Sequence, residues 1–219
     1  MRHLDHLVYA VPHLEEYVEF FEQHTGVRAV YGGQHPRAGT ENYLVRLEDG
    51  TDNPCYLELI GLDPKQPDVA GEDTMFRIGA LGDDFPPRLV TWAIHLPEID
   101  LLPEEVSVGE YKFNFPRPTA ASRTTPDGRL LRWRFAVGNP LPLAGLQPFL
   151  IDWGETAHPC ENLLGQPALA LKSIKAEYEH PEVLAALYGF LGLDVPITAS
   201  PSPALCVELT TPKGSFQLR

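Results

Sequence analysis

Apolar side chains occupy nearly every position of LDHLVYAV, residues 4–11, with Leu4, His6, Val8 and Ala10 on one face of an extended chain and Asp5, Leu7, Tyr9 and Val11 on the other. Two largely apolar faces predict a strand covered by a helix on one side and by a cavity on the other. Pro12 ends it. From His13 to Thr25 the spacing becomes helical, with Leu14, Tyr17, Val18, Phe20 and Phe21 separated by Glu15, Glu16, Glu19 and Glu22, and Gly26 supplies the stop. Residues 27–31 read as a short strand broken by Gly32-Gly33, and residues 34–41 as a polar loop. Residues 43–47 and 56–60 read as two more strands about a turn at Asp49-Gly50.

This β-α-β-β-β order returns near the C-terminus. Residues 169–178 are strand-like, and 181–191 are helical with Val183, Leu184, Leu187, Phe190 and Leu191 as the apolar stripe. Gly192 is the stop, and 195–198, 205–209 and 216–218 are short strands. The middle holds a looser copy: a strand at 89–96, a short helix at 99–106, an extended segment at 111–115, a turn at Pro126-Asp127-Gly128, and strands at 130–137 and 149–153. Repetition of one supersecondary unit is the main architectural signal. It divides the chain into modules at 1–62, 88–155 and 168–219 within one compact domain, 1–219. The polar, turn-rich residues 63–87 separate the first two and are too short for a disordered hinge.

The chain has 219 residues and an ordinary apolar content of 43%, enough for a sizeable core. A formal net charge of −13 repels phosphate backbones and anionic membrane surfaces, which argues against nucleic-acid or membrane partners. No run approaches the roughly 18 apolar residues of a membrane span. The N-terminus carries Asp5 and two histidines where a signal peptide needs an apolar stretch, so a cytoplasmic location is expected. Cys55, Cys160 and Cys206 form no CxxC pair, and three thiols cannot all pair within one chain. Packed thiols are the expectation, with Cys160 in its HisProCys loop the one candidate for reactivity. There is no GxSxG elbow, P-loop, GxGxxG or HExxH.

Several stretches resemble the glyoxalase-like branch of the vicinal-oxygen-chelate superfamily: LDHLVYAV at 4–11, GGQHPRAGTENYL at 32–44, YLELIGLDP at 56–64, TPDGRLLRWR at 125–134 and PFLIDWG at 148–154. The resemblance implies an α+β fold in which βαβββ modules pair into a half-open barrel around a site, with ligands on the first and last strands of a module. It also implies a bacterial-type protein, a small-molecule substrate or ligand, and an assembly for which homodimers are common.

On that pattern His6, Glu58 and Asp152 fall at metal-ligand positions, and the implied cofactor is a divalent ion, Zn, Ni, Mn or Fe. Such an ion with open positions acts as a Lewis acid on an enolate or enediolate. The implied activity is that of a lyase, isomerase or dioxygenase on a small oxygen-rich metabolite, with Glu58 and His35 as the catalytic candidates. The other half of the pattern fails. The counterparts of His6 fall near Thr91 and Ser173, neither a usual ligand. His35 is the candidate to fill that gap or to act on the substrate as acid or base, and a metal-free binding or sequestration protein on the same fold stays open. Each residue also has a plainer reading. His6 would be a hydrogen-bonded core histidine, His35 a turn residue, Asp152 a strand cap, and His95 and His158 structural or surface groups. Glu58 is the hardest to explain as structure, because a carboxylate in an apolar strand needs a cation, a donor or solvent. Arg132 and Arg134, alternating about Trp133, would bind an anionic substrate or pair with surface carboxylates.

Overall fold

The computed structural model describes residues 2–125 and 128–219. Two positions of the turn expected at 126–128 therefore lie outside the described residues. The first module contains β1 (His3–Ala10), α1 (Leu14–Thr25), β2 (Val30–His35), β3 (Thr40–Glu48) and β4 (Cys55–Leu62). The strands lie in the order β1-β4-β3-β2, with β1 parallel to β4 and the other pairs antiparallel. On α1, Leu14, Val18, Phe21 and Thr25 turn inward, the i, i+4, i+7 spacing of an amphipathic helix. Phe20, expected on that stripe, is exposed. The second strand does not break at Gly32-Gly33. It runs on to His35 through a bulge between Tyr31 and Gly33, so residues expected in a loop belong to a hairpin.

The middle of the chain repeats the same winding. The strands β5 (Arg88–His95), β8 (Thr119–Thr124), β9 (Leu130–Ala136) and β10 (Phe149–Asp152) lie in the order β5-β10-β9-β8, with β10 parallel to β5. The short helix expected at 99–106 is replaced by one 3-10 turn, Ile99–Leu101, and by the hairpin of β6 (Glu105–Val108) with β7 (Tyr111–Asn114). That hairpin still buries Val106 and Phe113 in the main core, so it covers the sheet as a helix would. Antiparallel pairing of β1 with β5 joins the halves. The sheet then curls until β8 approaches β2, which makes a half-open barrel.

The C-terminal stretch has β11 (Leu169–Tyr178), α2 (Pro181–Leu191), β12 (Ile197–Ala199), β13 (Ala204–Thr211) and β14 (Gly214–Leu218). Its elements follow the same sequence, but its strands lie in the order β12-β11-β13-β14. It extends the sheet through parallel pairing of β11 with β3 at Leu169 and Leu47. The fold is α+β. One face of the sheet carries Leu7, Tyr9, Leu57 and Leu59 against the helices; the other turns Val8, Ala10, Ile60 and Phe149 toward the barrel interior.

A single carbonyl ties α2 to the barrel. Leu146 O accepts hydrogen bonds from Trp92 Nε1 (3.1 Å) and Tyr188 Oη (2.9 Å), and both donors are buried. The chain reaches that point through Gly145, with φ at +86° and an ideal Cβ only 1.9 Å from Val90 O. Gly145→Ala is therefore expected to destabilise the protein by about 2 kcal/mol, from backbone strain and displacement of this contact. Urea unfolding at pH 7 reads the change.

Candidate active site

The half-open barrel leaves a cleft of about 590 Å³ of empty space, part of it open to solvent. His6, His35 and Glu58 all line it. Glu58 reaches it by simple alternation, since Tyr56, Glu58 and Ile60 share the inner face of β4. His6 lies two positions along the adjacent parallel strand, where Tyr56 is its partner and Glu58 pairs with Val8. The imidazole of His6 stacks on Tyr56, with ring centroids 4.5 Å apart and an interplanar angle of 11°.

A β-bulge shapes the rest. Leu4 pairs with Ile94 and His6 with Ala93, which leaves Asp5 as the extra residue. Leu4 and Leu7 consequently share the helix-facing core, and strict alternation, which places Leu4 beside His6, does not hold here. Asp5 turns inward. Its carboxylate accepts from His6 Nδ1 at 2.6 Å and from Trp153 Nε1 at 2.9 Å, and it is fully buried. Burial alone would raise its pKa, but the proximity of His158 and His6 outweighs burial and holds the carboxyl well below the usual range. An ionised carboxylate only accepts, so His6 carries a proton on Nδ1 and turns Nε2 to the cavity. That nitrogen lies 3.7 Å from Glu58 Oε2.

Glu58 Oε1 accepts from Asn42 Nδ2 at 2.6 Å, and Asn42 Oδ1 accepts from Arg123 Nη1 at 3.1 Å. The orientation of this amide follows from its partners, because a carboxylate accepts and a guanidinium donates. Gly32 makes the arrangement fit, since an ideal Cβ there would stand 2.4 Å from Asn42 Oδ1. His35, at the end of β2, holds Thr40 Oγ1 with its Nδ1 at 2.9 Å, and its Nε2 lies 3.6 Å from Glu58 Oε1. Burial pushes His35 down to about 4 against the opposing pull of Glu58, with Arg123 and His6 adding to the drop. It is neutral at physiological pH.

Asp152 is not part of this cluster. On β10 the cavity side is taken by Phe149 and Ile151, so Asp152 points away and accepts from the backbone N–H groups of Glu98 and Gly154, at 3.0 and 2.8 Å. Its place as a third metal ligand is corrected to a turn cap. Trp133 lines the cavity, whereas Arg134 on the opposite face pairs with Asp100 at 2.6 Å and Arg132 is exposed. Cys160 is buried with its thiol pushed up by burial, and burial raises Cys55 to about 12. Neither is poised as a nucleophile. His158, expected at the surface or in a loop, is only partly exposed. Its Nδ1 accepts from Cys160 N, so its proton sits on Nε2, 3.4 Å from Asp5 Oδ2.

A divalent ion needs about three protein donors in a catalytic site. Among the described residues no group of three His, Cys, Asp or Glu side chains is arranged to hold one. His6, His35 and Glu58 face the cavity from the first half as three potential donors that are not gathered into such a group, and the second half faces them with Phe149, Ile151 and Trp153. This ligand set does not fit a resident metal of that kind.

Sequence reasoning missed Asp5, Asn42 and Arg123. The first is displaced by the bulge. Asn42 and Arg123 lie in polar stretches without a strong alternating pattern, and only the inward parity of TAASRT could have singled out Arg123.

Among solved structures, a hypothetical protein from Staphylococcus aureus matches with a TM-score of 0.61 at 14% identity, covering 100% of this chain and 86% of that one. A methylmalonyl-CoA epimerase from Streptomyces coelicolor matches at 16% identity and a TM-score of 0.43, over 70% of this chain and 96% of its own. That from Mycobacterium tuberculosis matches at 15% and 0.39, over 68% and 85%. No curated protein matches the sequence, and no helix of the described residues is long and apolar enough to cross a membrane. The family model described as a glyoxalase-like domain matches residues 4–191, nearly the whole of the two-module barrel and α2, and the chain belongs to that glyoxalase-like family.

Proposed function

We propose that this protein is an isomerase or lyase that moves a proton at a carbon beside a carbonyl of a small oxygen-rich metabolite. The observation that carries this reading is the Asp5–His6–Glu58 arrangement: an imidazole whose Nδ1 is held by Asp5 and whose Nε2 lies 3.7 Å from a buried carboxylate on the wall of a cavity. His6 takes the proton through Nε2. Asp5 fixes the tautomer and balances the imidazolium that forms, and Glu58 passes a proton to or from the neighbouring atom. Both acid–base groups lie on one wall, and the wall contributed by β9 and β10 is aromatic and aliphatic. That one-sidedness supports removal and return of the proton on the same face of the substrate.

Because the ligand set does not fit a resident divalent ion, no step is routed through one. The experiment is solvent-deuterium exchange, followed by NMR, into a panel of small α-keto and α-hydroxy carbonyl compounds. Protein purified without an affinity tag is assayed before and after chelation. Exchange at the carbon beside the carbonyl, unchanged by chelation, is the expected result. Exchange that vanishes on chelation and returns with Mn, Ni, Zn or Fe(II) replaces this reading with a metal-dependent one. The aromatic wall favours a second reading, a metal-free binding or sequestration protein, and saturable binding with no exchange in any member of the panel would select it.

A further inference from the structure

Proton transfer leaves one charged group in the cavity without an assigned role. Arg123, on β8, lines the cavity and is only 7% exposed. Its one hydrogen bond among the described residues is to Asn42 Oδ1, which occupies one of the five N–H groups of a guanidinium. No carboxylate of the described residues lies within 4.0 Å of it. Glu58, facing the same cavity, is separated from it by the Asn42 amide. A cation taken out of water without a counter-ion is costly, and the planar fork of arginine matches a carboxylate with two parallel hydrogen bonds. The remaining donors of this fork are therefore a ready place for an anionic group brought in by a ligand.

The rest of the cavity states what that anion is attached to. Trp133 and Trp153 pack with ring centroids 5.4 Å apart, and Phe76 and Phe149 at 5.6 Å. Phe135 and Tyr56 complete an aromatic lining. Such surfaces hold a flat ring by stacking and burial, while the polar groups opposite hold its oxygens. We infer that the substrate class is a small aromatic carboxylate, its carboxylate held by Arg123 and its ring lying among Trp133, Trp153 and Phe149. What happens to the bound molecule rests on the proton-transfer reading; its recognition does not.

Phenylpyruvate, phenylacetate and 4-hydroxybenzoate are titrated into the whole protein by calorimetry, with phenylacetamide as the neutral counterpart of phenylacetate. At least one acid is expected to bind, and phenylacetate more tightly than its amide by tenfold or more. Arg123→Gln is expected to weaken acid binding at least tenfold and to leave amide binding unchanged, with Arg123→Lys in between. Failure of all three acids to bind, equal binding of phenylacetate and phenylacetamide, or acid binding unaffected in Arg123→Gln overturns the assignment. If Arg123→Gln does not fold, the comparison of acid with amide on the wild-type protein decides alone. Binding of phenylpyruvate without proton exchange at its CH2 contradicts the proton-transfer reading and leaves this assignment standing.

Discussion

His6→Ala lowers the rate of solvent-deuterium exchange into a bound carbonyl compound by about 10²- to 10⁴-fold, the usual contribution of a positioned general base. The structure explains why so much rests on this ring. Asp5 holds its Nδ1 through a 2.6 Å hydrogen bond, Tyr56 stacks on its plane, and its Nε2 faces Glu58 across 3.7 Å. Glu58→Gln keeps the shape of the site and removes the charge, and its effect falls in the same range. Asp5→Asn separates positioning from chemistry. The amide can present its oxygen or its N–H to His6 Nδ1, so the imidazole is no longer committed to one tautomer, and the loss is smaller than that of His6→Ala. Near-UV circular dichroism on each variant shows whether the aromatic cavity is intact. An intact His6→Ala protein that exchanges as fast as wild type would remove His6 from the chemistry.

Acidification from pH 6.5 to 4 costs the folded state about 3 kcal/mol through His35 alone. The ring is buried, and burial lowers its pKa from 6.5 to about 4. In the unfolded chain it binds a proton as the pH falls below 6.5; in the native protein it resists until about 4. The unfolded state thus holds more protons throughout that window, and stability falls with pH across it. Above 6.5 the two states are equally deprotonated and the residue adds no slope. Asp5, whose folded pKa is depressed, acts in the same direction further down: its stabilisation is present above the ordinary carboxylate pKa and is lost as pH falls through its lower native value. Urea midpoints measured at pH 7, 6, 5 and 4.5 should drop steadily in wild type, and the drop should flatten in His35→Gln, which has nothing to protonate. Parallel lines for the two proteins would show that His35 is not held neutral by the fold.

The first module was readable in the sequence because its apolar periods are clean: every third or fourth residue on α1, and near-continuous apolar runs on β1 and β4. The convergence of His6 and Glu58 was implied by the family resemblance, which places both on the site side of the first and last strands of a module, and the two strands are neighbours with both side chains on the cavity. Strand β2 was less legible. Two glycines read as a break, yet they serve to let Asn42 and its neighbours approach closely, and the strand passes through them. Asp5 was hidden by its bulge, which no alternation rule anticipates. Asp152 followed from a family position, but on β10 the parity set by Phe149 and Ile151 turns it to solvent-side backbone amides. The C-terminal stretch shows what element order leaves open. Its β-α-β-β-β sequence matches the first module, while strand pairing, set by contacts far apart in the chain, places β13 beside β11 where the first module places its last strand beside its first.

A crystal structure of the protein with phenylpyruvate, whose CH2 beside the ketone is the acidic carbon, tests the central claim most directly. The account predicts the carboxylate on Arg123, the ring among Trp133, Trp153 and Phe149, and the carbon to be deprotonated within about 3.5 Å of His6 Nε2, as a reactive geometry requires. A ligand that binds outside this cavity, or inside it with no C–H approaching His6 or Glu58, would contradict it.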